Sequence, residues 1–132
     1  MKKLYLFLAL GTLVVFFTSC KKEYIPAGRP DQAITVPVYA SDWYTADHGV
    51  TYSVSLDVPE ISYDFNRYGE VLAYMSFDGG SYVQIPEVYN DVSYSFTYGV
   101  GRVTVYLQDL RGTGILPPAQ ATIKLVLRSG SY

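Results

Sequence analysis

Between Ile34 and Leu127 the apolar residues of this chain recur at every second position, in one short run after another. A period of two places alternate side chains on one side of an extended strand, so each run can bury one face and wet the other. Val50, Tyr52, Val54, Leu56 and Val58 alternate with Thr51, Ser53, Ser55 and Asp57, the cleanest example. Ile34, Val36 and Val38 share a face, and Pro37 between them removes a donor, which suits an edge strand. Tyr94, Phe96 and Tyr98 alternate with Ser93, Ser95 and Thr97; Val103, Val105 and Leu107 follow, then Ile123, Leu125 and Leu127. Glu70 to Phe77 is nearly continuous in apolar residues and reads as a strand covered on both faces. Asp78-Gly79-Gly80 reads as a hairpin turn, because glycine accepts positive φ, with Ser81 to Ile85 returning from it.

About seven strands at short spacing predict an all-β fold, a small antiparallel β-sandwich of immunoglobulin-like or similar kind. Helix is scarce. Pro59 to Arg67 is the best candidate, with Ile61, Phe65 and Tyr68 roughly on one face and Gly69 as a stop; an irregular crossover between sheets is the alternative. Arg111 to Ala119 holds Gly112, Gly114, Pro117 and Pro118, so it reads as a loop with Ile115 and Leu116 at its tip.

The N-terminus follows other rules. Lys2 and Lys3 precede an uncharged, mostly apolar run from Leu4 to Phe17, and Thr18-Ser19-Cys20 then supplies two small residues and the chain's single cysteine. A membrane-spanning helix needs about 20 apolar residues to cross a core of roughly 30 Å. Leu4–Phe17 is shorter, and would span about 21 Å as a helix. An ordinary secretory signal fits the apolar length but gives the thiol no role. The order of segments resembles a bacterial lipoprotein signal, with Phe17 standing where Leu is usual. That resemblance implies cleavage before Cys20, diacylation of its sulfur and acylation of its new amine. Residues 1–19 are then a signal peptide, 20–32 a lipidated tether and 33–132 the β domain.

Without the leader, the ten Lys and Arg fall to eight against twelve Asp and Glu. No basic stripe remains to gather phosphates, which argues against nucleic-acid partners. A lone cysteine cannot form an intrachain disulfide, so the fold is held by its core, and about 110 residues suffice for one. Lys21 to Gln32, with Pro26, Gly28 and Pro30 and no sustained apolar period, reads as a spacer.

Val36-Pro37-Val38-Tyr39-Ala40 with Asp42-Trp43, then Gly69-Glu70-Val71-Leu72-Ala73-Tyr74 and Val83-Gln84-Ile85-Pro86, resemble a group of small lipoproteins of the Bacteroidota phylum. The resemblance implies an envelope location, an outer-membrane lipid anchor and one all-β domain. It carries no catalytic residue across.

Thirteen of the fourteen tyrosines follow the leader, together with Trp43. Aromatic rings on an open surface stack on sugars and pack against protein partners, and the tyrosine hydroxyl adds a polar handle. Tyr39, Trp43 and Tyr44 lie close in sequence and are the candidate ligand-binding residues; Tyr89, Tyr94 and Tyr98 lie on a second stretch. The competing reading is that tyrosine serves as a half-buried strand residue and Trp43 as a core plug.

Catalytic chemistry finds little purchase. His48 is the only histidine and sits in the turn-like Asp47-His48-Gly49, and no Gly-x-Ser-x-Gly elbow marks a nucleophile. Asp57 and Glu60 as a glycosidase pair are better read as solvating a strand end. Asp42 and Asp47 lack the spacing of a calcium loop, and one histidine cannot build a zinc site. The expectation is therefore a non-enzymatic lipoprotein without cofactor or metal. Its role is an interaction module for a protein or glycan, or alternatively an assembly protein of the envelope with no small ligand.

Overall fold

A computed structural model describes residues 31–130. The leader, Cys20 and all but the last two residues of the tether lie outside them. Eight strands run in the order β1 (Gln32–Tyr39), β2 (Thr51–Asp57), β3 (Glu70–Ser76), β4 (Val83–Ile85), β5 (Glu87–Tyr89), β6 (Val92–Gly99), β7 (Arg102–Asp109) and β8 (Gln120–Arg128), with one short helix, α1 (Tyr63–Tyr68). They form two antiparallel sheets of four, ordered β1-β8-β3-β4 and β2-β7-β6-β5. The chain is the small all-β sandwich that its alternation predicts, and Pro37 stands on an edge strand.

Each central strand turns one face inward. β8 buries Ala121, Ile123, Leu125 and Leu127; β7 buries Val103, Val105 and Leu107 against them. Val71, Ala73 and Met75 of β3 and Tyr52, Val54 and Leu56 of β2 complete the layer. Fully burying one such aliphatic side chain contributes about 1.5–3 kcal/mol, and these residues carry most of the stabilisation. The registers keep that phase throughout, with Val54 opposite Val105 and Ala73 opposite Leu125.

Four details differ from the sequence reading. β3 is not covered on both faces: Val71, Ala73 and Met75 are buried, whereas Leu72 and Tyr74 are only half-covered on the outside. The outer cover comes from the neighbouring strand, whose Lys124 ammonium lies 5.2 Å from the Tyr74 ring centre and 4.6 Å from that of Tyr82. The helix begins later than Pro59. Val58 and Ile61 are drawn into the core by a turn in which the Ile61 N–H donates to the Val58 carbonyl. Ser62 then caps the helix, its hydroxyl accepting from the Phe65 N–H at 3.1 Å. The strand that the sequence does not show, β5, has three residues directly after Pro86, too few to show a period. β1 also starts at Gln32, paired with Leu127, inside the expected tether.

Register gives the sandwich two distinct ends. Gln32 lies beside Leu127, and Glu70 beside Arg128, so the chain enters at the end that holds α1 and the β6–β7 turn. Arg128 pairs there with Glu70 at 3.1 Å and Asp31 at 3.7 Å. The other end holds the close of β3, the start of β6, the close of β7 and the segment 110–119.

Candidate binding cleft

β4 and β5 are the edge strands on one side of the sandwich, and the chain passes directly from one sheet to the other between them at Pro86. Each has three residues, whereas β6 beneath them has eight. The short edges leave the inward face of β6 partly open. The result is a cleft of about 230 Å³ lined by Met75, Phe77, Val83, Ile85, Glu87, Tyr89 and Tyr94. The Phe77 and Tyr94 rings meet edge to face with centres 5.5 Å apart. Tyr89 is 66 % exposed and Phe77 48 % exposed. Burial raises the Tyr94 phenol pKa above its ordinary 10.0, and the neighbouring Tyr89 phenol adds to the rise.

A second, shallower recess of about 470 Å³ shares Phe77, Tyr89 and Tyr94, and extends towards the far end over Val92, Ile115, Leu116 and Pro118. Its rim is Leu116, 89 % exposed. The segment that carries Leu116 is nevertheless fixed. Asp109 is the last inward position of β7 and is buried at the sandwich end. Its carboxylate accepts hydrogen bonds from the N–H groups of Arg111, Thr113 and Gly114 and from the Thr113 hydroxyl, at 2.9–3.2 Å. Burial pushes its pKa up, but these donors outweigh that effect and hold it below the ordinary carboxylate value.

A second clamp joins residues 114–115 to the turn at 48–49. The Ile115 N–H donates to the Gly49 carbonyl at 2.9 Å, and the Tyr52 hydroxyl donates to the Ile115 carbonyl at 2.7 Å. Gly49 and Gly114 have φ of 86° and 94°, and a Cβ on Gly114 would lie 2.7 Å from the His48 carbonyl oxygen. Only glycine permits that approach. The turn itself is built on Asp47, whose carboxylate accepts from the Thr51 N–H at 2.7 Å and the Thr45 hydroxyl at 3.1 Å. That Thr51 bond is the main cause of a lowered Asp47 pKa.

The residues singled out from sequence separate. Trp43 is buried, 7 % exposed, and packs in the core, so it forms no platform; its indole N–H finds no acceptor among the described residues. Tyr39 and Tyr44 are exposed, but at β1 and at the free edge of β2, where Tyr44 bridges Ser53. They lie across the sandwich from the cleft. Of the second tyrosine group, Tyr89 and Tyr94 enter the cleft; Tyr98 stacks with Phe96 nearer the β6–β7 turn.

The remaining candidates are dispersed. Asp57 and Glu60 are exposed at the entry end, and Asp42 is taken up by the Tyr39 N–H at 2.8 Å. His48 sits at φ 56° in its turn, with no hydrogen-bond partner among the described residues. Among those residues no three His, Cys, Asp or Glu gather as a metal site. Cys20 lies outside the described residues.

Sequence reasoning did not single out Phe77 and Val83 as site residues, because each reads as part of an ordinary strand. It also passed over Asp109, although the phase set by Val103, Val105 and Leu107 points that carboxylate inward. Comparison with family models, with curated proteins and with solved structures finds no match to this chain.

Proposed function

We propose that this chain is a lipid-anchored envelope protein whose β domain is an interaction module, and that it receives its partner in the cleft beside β4 and β5. One observation carries the reading: an aromatic cleft stands open beside β4 and β5, and the recess that continues from it over Phe77, Tyr89 and Tyr94 is bordered by a segment that Asp109 and two glycines hold in place. A mobile or collapsed surface needs no such support. Of the exposed large apolar residues, Phe77, Val83 and Tyr89 border the cleft and Leu116 borders the adjoining recess.

The chemistry of the walls favours a protein partner over a glycan. Sugars need several hydrogen-bonding groups around a stacking ring, whereas the cleft offers the Glu87 carboxylate and two phenols among apolar side chains. Aromatic and aliphatic anchors from a partner fit such walls. The N-terminal sequence and Cys20 support the membrane setting, and the described chain begins at the end opposite the recess around Leu116. Immobilised full-length protein should retain an envelope protein that the Tyr89→Ser and Leu116→Ser variants release. Equal retention by these variants would place the interaction elsewhere.

A further inference from the structure

We propose that the group entering the cleft is an N-alkylated ammonium borne by the partner, held by the faces of Phe77, Tyr89 and Tyr94 and by the carboxylate of Glu87. The inference deepens the proposed function and rests on the cleft being the partner site.

The walls are chemically uneven. Met75, Val83 and Ile85 make an apolar floor and side, three aromatic rings converge on the same space, and one carboxylate stands among them. The Glu87 side chain is exposed and, like those of Asp57 and Glu60, makes no ion pair or hydrogen bond among the described residues, so it is free to meet an incoming cation. Phe77 and Tyr94 meet edge to face, with centres 5.5 Å apart and 61° between planes, so the two rings stand at an angle to each other rather than in a stack. Aromatic faces attract cations through their quadrupole, and the attraction grows as water is excluded.

Acidic groups outnumber basic ones nearby. Asp78, Asp91 and Asp109 lie at this end of the sandwich beside β3, β6 and β7, against Arg111, which holds Asp91 at 3.1 Å, and Lys124, which stands over the Tyr82 ring on the outer face of its sheet. A cation is drawn to this end and an anion repelled from it. Apolar walls further prefer a cation clothed in methyl or methylene groups over bare ammonium, whose tight hydration would have to be stripped. A volume of about 230 Å³ accommodates a trimethylammonium group with part of its stem. A neutral aliphatic side chain would satisfy the walls and leave Glu87 unused.

The test uses the full chain in detergent micelles, isotopically labelled, and titrates it with choline, with its neutral isostere 3,3-dimethylbutan-1-ol and with ammonium ion. Choline should bind roughly ten-fold more tightly than the isostere, with shifts centred on Phe77, Glu87, Tyr89 and Tyr94. Ammonium should produce none. Glu87→Gln and Tyr89→Leu change exposed residues and should leave the fold's spectrum intact while weakening choline at least several-fold; Tyr44→Leu, across the sandwich, should not. Equal binding of choline and the isostere at the cleft would overturn the cation assignment yet leave the cleft as a binding site. No shift at the cleft with any probe would also overturn it, and the capture experiment then judges the proposed function by itself.

Discussion

Asp109 shows how much one inward-pointing carboxylate can organise. It ends a strand whose other inward residues are aliphatic, and its charge is balanced by three backbone N–H groups and a hydroxyl rather than by a cation. Its folded pKa lies below the ordinary 3.8. The stability it contributes is therefore fully present above that value and is lost as the pH falls through the folded one. Asp109→Asn should melt at a lower temperature than the parent at pH 7, and the gap should close on acidification below about pH 3.8. Thermal melts at a series of pH values check this; a gap that widens towards low pH would contradict the account. Asp47 and Asp78 are lowered by the same cause, backbone N–H donors, and their contributions fade in the same direction. Trp43 makes the complementary point. Its ring fills core volume while its N–H goes unanswered, so Trp43→Phe, which leaves the smaller cavity and breaks no hydrogen bond, should cost less than Trp43→Ala at about 3–5 kcal/mol. Chemical denaturation distinguishes the two.

At the scale of elements, the strands were legible because each long one turns a single apolar face inward and so writes a period of two. β3 misled because Leu72 and Tyr74 are apolar on its outer side, where the Lys124 side chain of β8 covers the Tyr74 ring. β5 could not be seen, since three residues beside a proline carry no period. The aromatic group on Tyr89 and Tyr94 was visible as composition, but its convergence with Phe77 depends on strand order, which no local pattern records. The segment 110–119 was legible as a loop from its glycines and prolines, and illegible as a rigid one. It is held both by the Asp109 carboxylate a few positions before it and by contacts with residues 48–52, some sixty positions away. Gly114→Ala combines a positive φ with a clash against the His48 carbonyl and should destabilise by more than about 1 kcal/mol. Hydrogen exchange at Thr113 to Ile115 should accelerate in that variant well before the β7–β8 core opens. Leu116→Ser, by contrast, should change stability by no more than about 0.5 kcal/mol, because the side chain is 89 % exposed. Its effect belongs to binding.

For the whole molecule, the sandwich divides its work between two ends. Arg128, Glu70 and Asp31 fasten the entry point beside α1, and the other end carries the clamped segment and the mouth of the aromatic recess. In the proposed setting, Cys20 tethers the first end to a membrane. Cys20→Ser should move the protein from the membrane to the soluble fraction and abolish incorporation of a labelled fatty acid, with the β domain's melting temperature unchanged. The claim that the cleft side meets the partner has a direct test in intact cells: a photo-cross-linking residue placed singly at positions 89, 116 and 63. Tyr89 and Leu116 border the recess, while Tyr63, 67 % exposed, lies on α1 at the entry end. The account predicts the same adduct from positions 89 and 116 and none of that mass from 63; an adduct from 63 alone, or equally from all three, would contradict it.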